Sequence, residues 1–166
     1  MKNLVLSLLF CVPVMAQMTS FKSEGETLVW ERTFPADNAN IVALLEGQPN
    51  LKVNSFMDNV YKGTGNEIKN TCDGGSGLTK NDCKFDFIIL VNPDHYVVKV
   101  KNMKVLEKFG PMQTRTVANR FEKYYMDGSK VKADDRASAD LGCMENFLDS
   151  VFSTGITSSG GALTSN

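Results

Sequence analysis

The stretch from Lys84 to Lys104 reads Lys-Phe-Asp-Phe-Ile-Ile-Leu-Val, then Asn-Pro-Asp-His, then Tyr-Val-Val-Lys-Val-Lys-Asn-Met-Lys. In an extended chain the first run puts Phe85, Phe87, Ile89 and Val91 on one side. The second puts Tyr96, Val98 and Val100 on one side, against Val97, Lys99 and Lys101. Between the two strands, Pro93 presets the backbone angle of a turn, and Asn92 and Asp94 can bond nearby backbone groups. The pattern predicts an antiparallel hairpin, and the rest of the chain has to be arranged around it.

The N-terminus carries Lys2, the apolar run Leu4 to Phe10, Pro13 and the small-residue ending Val14-Met15-Ala16. That layout predicts a secretory signal peptide, residues 1–16, cleaved after Ala16. The run is far shorter than the roughly 20 residues needed to cross a bilayer, so no transmembrane segment is expected there. The alternative is a lipoprotein signal acylated at Cys11, although a bulky Phe10 stands where a small residue normally precedes the cysteine. The remaining 150 residues suit one domain. Without Lys2 the chain has 17 basic and 19 acidic residues, a net charge of −2, which argues against nucleic-acid binding.

Outside the leader stand Cys72, Cys83 and Cys143, in a compartment that permits disulfides. Three cysteines allow three single pairings and leave one thiol over. The expected pair is Cys72 with Cys83, which bracket a glycine-rich loop beside strands; closing such a loop stabilises by on the order of 3 kcal/mol. Cys143 is then a buried small apolar residue. Its functional alternatives are a reactive nucleophile or a dimer crosslink.

Along the chain, residues 17–27 read as a flexible lead-in and Leu28, Trp30 and Phe34 as a first strand ended by Pro35. Asp37, Asn38 or Asn40 can cap a short helix carrying Ile41, Leu44 and Leu45, which Gly47 and Pro49 stop. Extended segments follow around Leu51 to Val53 and Phe56 to Lys62, interrupted by Gly63 and Gly65 in a bulge or turn. Val117, Phe121 and Tyr124 predict a short helical segment over 119–126. Leu141, Met144, Phe147, Leu148, Val151 and Phe152 form one stripe of a last helix. The domain therefore spans 28–154, and the Ser-, Thr- and Gly-rich residues 155–166 are expected to be a disordered tail. Strand, helix, several strands and helix in that order predict a layered α+β domain with both helices on one face of an antiparallel sheet.

Several segments together resemble a family of secreted Gram-negative proteins known only as a domain of unknown function with a TATA-binding-protein-like fold. They are Trp30 to Pro35 with the Ile41 to Leu45 helix, Val60-Tyr61-Lys62-Gly63-Thr64-Gly65, the strand pair from Phe85 to Leu106, and Arg120 to Tyr125 before the last helix. The resemblance covers roughly Leu28 to Phe152 and is one of layout. It implies a curved antiparallel sheet, of four to six strands here, backed by two helices. It supplies no catalytic residues, and the fold name carries no DNA binding with it. The Cys72 to Cys83 insertion departs from the family layout.

Little in the sequence points to chemistry. The lone His95 sits in a hairpin turn, and Cys72 and Cys83 lack metal-binding spacing. The loop Asp73-Gly74-Gly75-Ser76-Gly77 has glycines where a calcium loop needs carboxylates. Asp134 and Asp135 suit the start of a helix. No catalytic, cofactor or metal site is predicted. Ile88 and Leu90, however, alternate with the inward residues of their strand, on a face that should be polar if only one side is covered. They are core under a loop, or else an apolar patch for a partner or a second copy of the chain. The expected function is an exported, noncatalytic binding or structural module, periplasmic or extracellular, whose partner is a protein or another envelope component. The alternative is a hydrolase drawing its acid and base from carboxylates such as Asp58, Glu67 or Asp86.

Overall fold

The structure, a computed structural model, describes residues 19–36, 40–72 and 74–153. The leader with Cys11, the candidate caps Asp37 and Asn38, Asp73, and the tail from residue 154 lie outside the described residues. In chain order the elements are β1 (Phe21–Glu24), β2 (Thr27–Pro35), α1 (Ile41–Glu46), β3 (Leu51–Met57), β4 (Val60–Ile68), β5 (Asp82–Val91), β6 (His95–Phe109), β7 (Arg115–Arg120), α2 (Glu122–Tyr125), β8 (Met126–Asp127), β9 (Lys130–Val131) and α3 (Asp135–Phe152). The fold is α+β. A seven-stranded antiparallel sheet runs β1-β2-β6-β5-β4-β3, with β7 also paired to β6. Buried apolar residues of each of the three α-helices among the described residues join one core cluster on a single face of that sheet.

The central hairpin forms as its alternation dictates. Phe85, Phe87 and Ile89 of β5 and Tyr96, Val98 and Val100 of β6 are buried, with Phe87 opposite Val100 and Ile89 opposite Val98. The fifteen-residue β6 bends at Asn102, whose φ of 54° goes with a register shift between Lys84 and Asp86. That bulge resets the alternation, so Met103 and Val105 continue the inward row. On one flank of β6, residues 95–100 pair with β2 and residues 104–109 pair with β7.

α3 roofs the hairpin. Asp134 caps it, its side chain accepting from Ala137 N at 3.0 Å. Phe152, fully buried, meets Trp30, Phe85 and Phe87 with ring centroids 6.3, 6.1 and 5.6 Å apart. Burying a side chain of that size contributes about 1.5–3 kcal/mol. The Tyr96 hydroxyl donates to the Phe152 carbonyl at 2.8 Å, satisfying an acceptor at the helix end. α1 is capped by Asn40, which accepts from Ala43 N, and buries Ile41 and Leu45.

Four expectations need correction. Residues 21–24 are a strand and not a lead-in: Gly25, at φ 63°, turns the chain so that Phe21 pairs with Trp30 and is buried. Residues 115–120 are β7, and the helix predicted there is the single turn α2. Gly63 and Gly65 lie within β4 and do not end it, facing the core, while the expected bulge follows as a register shift between Gly65 and Ile68; a methyl group at Gly65 would stand 2.7 Å from the Phe85 ring. The sheet also has seven strands where four to six were expected.

The disulfide differs as well. Cys72 pairs with Cys143 of α3, 71 residues on, with Cα atoms 5.5 Å apart, and among the described residues the free thiol is Cys83. The cause is parity. Cys83 belongs to the inward row of Phe85, Phe87 and Ile89 and is 2% exposed, while the loop after Cys72 folds against the helix. Asp140, 1% exposed, accepts from Ser76 N at 2.6 Å, from Ser76 Oγ at 2.8 Å and from the Tyr125 hydroxyl at 3.1 Å. Gly75 leaves room for the Cys143 sulfur, 3.0 Å from where a Cβ would be. The segment expected to be a flexible loop is thus tied to α3 by a covalent bond and a buried carboxylate.

Candidate functional site

With the helices on one face, the other face of the sheet is open except around Val29 and Leu106, which are buried. Its side chains can be read rung by rung from the register. Met57, Val60, Leu90, Val97 and Thr33 are successive cross-strand neighbours on β3, β4, β5, β6 and β2. The first four make an apolar row across the hairpin end; Met57 is 71% and Leu90 42% exposed, and Val60 and Val97 are half-buried. One rung further, Ile88 stands between Lys62 and Lys99 and is half-buried. Lys99 in turn reaches Glu24 at 2.7 Å and Glu31 at 3.9 Å. Ile88 and Leu90 therefore lie on the open face, with Ile88 framed by lysine stems and Leu90 inside an apolar strip.

The carboxylates considered for hydrolysis are not brought together. Asp58 forms the β3–β4 turn at φ 50°, Glu67 sits near the far end of β4 at φ 49°, and Asp86 is on the open face, accepting from Asn102 Nδ2 at 2.7 Å. At the hairpin tip, His95 Nδ1 lies 2.6 Å from Asp94 Oδ1 and its Nε2 3.0 Å from Asn92 Nδ2. The hydrogen bond with His95 holds the exposed Asp94 carboxyl below its usual range. No hydroxyl or thiol nucleophile is bonded to the imidazole among the described residues. Nor do the described residues contain a group of three or more His, Cys, Asp or Glu side chains placed to hold a metal.

One polar cluster is not signalled by any motif. Arg32 occupies an inward position of β2, between Trp30 and Phe34, and its Nη1 contacts Glu145 Oε1 at 3.1 Å and Asp149 Oδ2 at 2.5 Å on α3. Ser20 Oγ donates to Glu145 at 2.6 Å. The cluster borders a cleft of about 590 Å³ lined further by Ser138, Gly142 and Asn146. Burial raises the Asp149 carboxyl above its usual range; the Arg32 charge opposes this and the Glu145 charge adds to it. The visible signal was a charged residue in the apolar row Leu28, Trp30, Phe34, together with two acids four apart on one helix. Glu145 is already engaged by Ser20 N, Ser20 Oγ and Arg32, so the cluster clamps the start of β1 to α3.

No protein-family model matches the chain, and no curated protein matches it. Two solved structures are similar to it. One is a DUF4468 family protein from Bacteroides ovatus, 13% identical, with a TM-score of 0.47 over 81% of this chain and 87% of that one. The other is a TBP-like protein from Parabacteroides distasonis, 12% identical, with a TM-score of 0.45 over 78% of this chain and 92% of that one.

Proposed function

We propose that this chain is an exported, noncatalytic module that binds a protein or envelope component through the open face of its sheet, with Ile88 and Leu90 at the contact. The observation that carries this reading is the apolar row Met57, Val60, Leu90 and Val97 on the face away from all three helices. Apolar side chains in such a row gain by being covered, and a second copy of the chain is one way to cover them. Export is supported by the leader sequence and by the Cys72–Cys143 disulfide, which belongs to an oxidising compartment. Cleavage after Ala16 gives a mature chain starting at Gln17; an acylated Cys11 at the terminus, read from intact mass, would replace that assignment.

The test is the double substitution Ile88→Lys with Leu90→Lys. Capture of a partner from an envelope fraction and self-association in sedimentation should both fall, with the far-UV spectrum unchanged. A variant that loses its far-UV signal would place these residues in the core. A folded variant that still binds would move the contact elsewhere. The hydrolase alternative requires an acid and a base in one cleft, and Asp58, Glu67 and Asp86 lie on separate parts of the sheet.

A further inference from the structure

At the opposite end of the open face from the apolar row, three cations stand side by side. Lys84 of β5 is in register with Lys104 of β6, and Lys104 with Arg120 of β7. Like charges directly opposite on neighbouring strands destabilise a sheet, so this row opposes the fold that contains it. Among the described residues neither Lys84 nor Lys104 has a hydrogen-bond or ion-pair partner. Arg120 is held by one bond, from its Nε to Glu122 Oε2 at 3.3 Å, which leaves both Nη groups available. The three side chains line a cleft of about 280 Å³ with Phe85, Asp86 and Asn102. Two carboxylates adjoin the three cations, Glu122 on Arg120 and Asp86 in the lining; Asp86 accepts from Asn102 and faces Lys101 in the register, so the site keeps an excess of positive charge.

We infer that Lys84, Lys104 and Arg120 form a binding site for a phosphoryl or sulfuryl group. Two ammonium groups and the planar fork of a guanidinium can surround the oxygens of one tetrahedral anion, and its negative charge turns the mutual repulsion of the row into attraction. The bulge at Asn102 produces the site, because it shifts the register that sets Lys104 beside Lys84. The inference does not depend on the apolar row, which lies at the far end of the same strands.

The probe is inorganic phosphate, compared with sodium chloride at equal ionic strength. Phosphate should raise the melting temperature of the protein saturably and shift the backbone resonances of residues 84, 104 and 120. Lys104→Gln should weaken phosphate binding by about tenfold or more, as loss of a charge-assisted contact does. In phosphate-free buffer the same variant should be at least as stable as the parent, an effect that a merely structural lysine would not show. Lys84→Gln provides the same readouts if Lys104→Gln fails to fold. Ile88→Lys with Leu90→Lys should leave the phosphate response intact, which separates this inference from the reading of the apolar row. Co-sedimentation with phosphatidylglycerol vesicles, lost in Lys104→Gln, would show that the group arrives on a lipid. Binding of inorganic phosphate without vesicle binding would show that it arrives in solution. Equal responses to phosphate and chloride, or parental binding in both lysine variants, would overturn the assignment.

Discussion

Ser76 donates to Asp140 twice, from its amide at 2.6 Å and from its hydroxyl at 2.8 Å, and so fastens the β4–β5 connection to the roof helix. The third donor to this carboxylate is the Tyr125 hydroxyl, whose own ionisation is pushed up by burial and by the neighbouring negative charge. Asp140→Ala leaves an amide and two hydroxyls without their acceptor inside the protein. It should cost about 3 kcal/mol in urea unfolding. A loss below about 1 kcal/mol would mean that water takes the place of the carboxylate.

The Cys72–Cys143 bond closes a 71-residue separation. Chain-entropy arguments give such a crosslink about 4 kcal/mol. Cys72→Ser should lower stability by that order, and reduction of the parent with dithiothreitol should reproduce the loss. Peptide mapping under non-reducing conditions should recover residues 72 and 143 in one linked fragment and Cys83 alkylated only after denaturation.

Burial, aided by the charge of Asp82, pushes the Cys83 thiol up to about 12 from an ordinary 9.0. The folded state therefore keeps its proton where the unfolded chain has lost it, so this group's contribution is complete below pH 9 and declines as pH rises toward 12. Stability should fall through that window. Cys83→Ala should flatten the fall, at a cost of about 1 kcal/mol at neutral pH for the lost packing. An unchanged alkaline slope in the variant would assign the effect to Tyr124 and Tyr125, whose hydroxyls are raised in the same direction.

Gly63 and Gly65 are seats for aromatic rings. Gly65→Ala should destabilise by about 1–3 kcal/mol, the usual cost of overpacking. Phe85→Leu should be less damaging in the Gly65→Ala background than in the parent, because the two groups compete for one space. Additive losses measured by denaturant titration would show that the strand simply shifts to make room.

The hairpin and the last helix are legible because their patterns are long. Phe85, Phe87, Ile89 and Val91 at spacings of two define β5, and six apolar positions on one stripe define α3. Short elements are not legible: β1 has a single buried apolar residue, Phe21, and no period can be drawn from one point. β7 misleads because Val117, Phe121 and Tyr124 fall at helical spacing although two of them lie in different elements. The candidate site divides in the same way. Ile88 and Leu90 can be placed on the outer side by counting in twos, whereas the cation row depends on how three strands are aligned across a bulge. Arg32 shows the remaining gap, since only its inward position reveals that two acids four residues apart on α3 come to meet it.

The staple between Cys72 and α3 also orders events in time. A chain made from its N-terminus presents Cys72 and Cys83 first, eleven positions apart, and Cys143 only near the end. Until the last helix arrives, the nearer thiol is the competing partner, because Cys83 stands on the inward face of the sheet, in the same core cluster as the apolar residues of α3, and that face is roofed only when α3 docks. Docking of α3 therefore does two things at once, delivering Cys143 and closing the core around Cys83, and truncations that remove α3 will leave Cys72 unable to form its native bond.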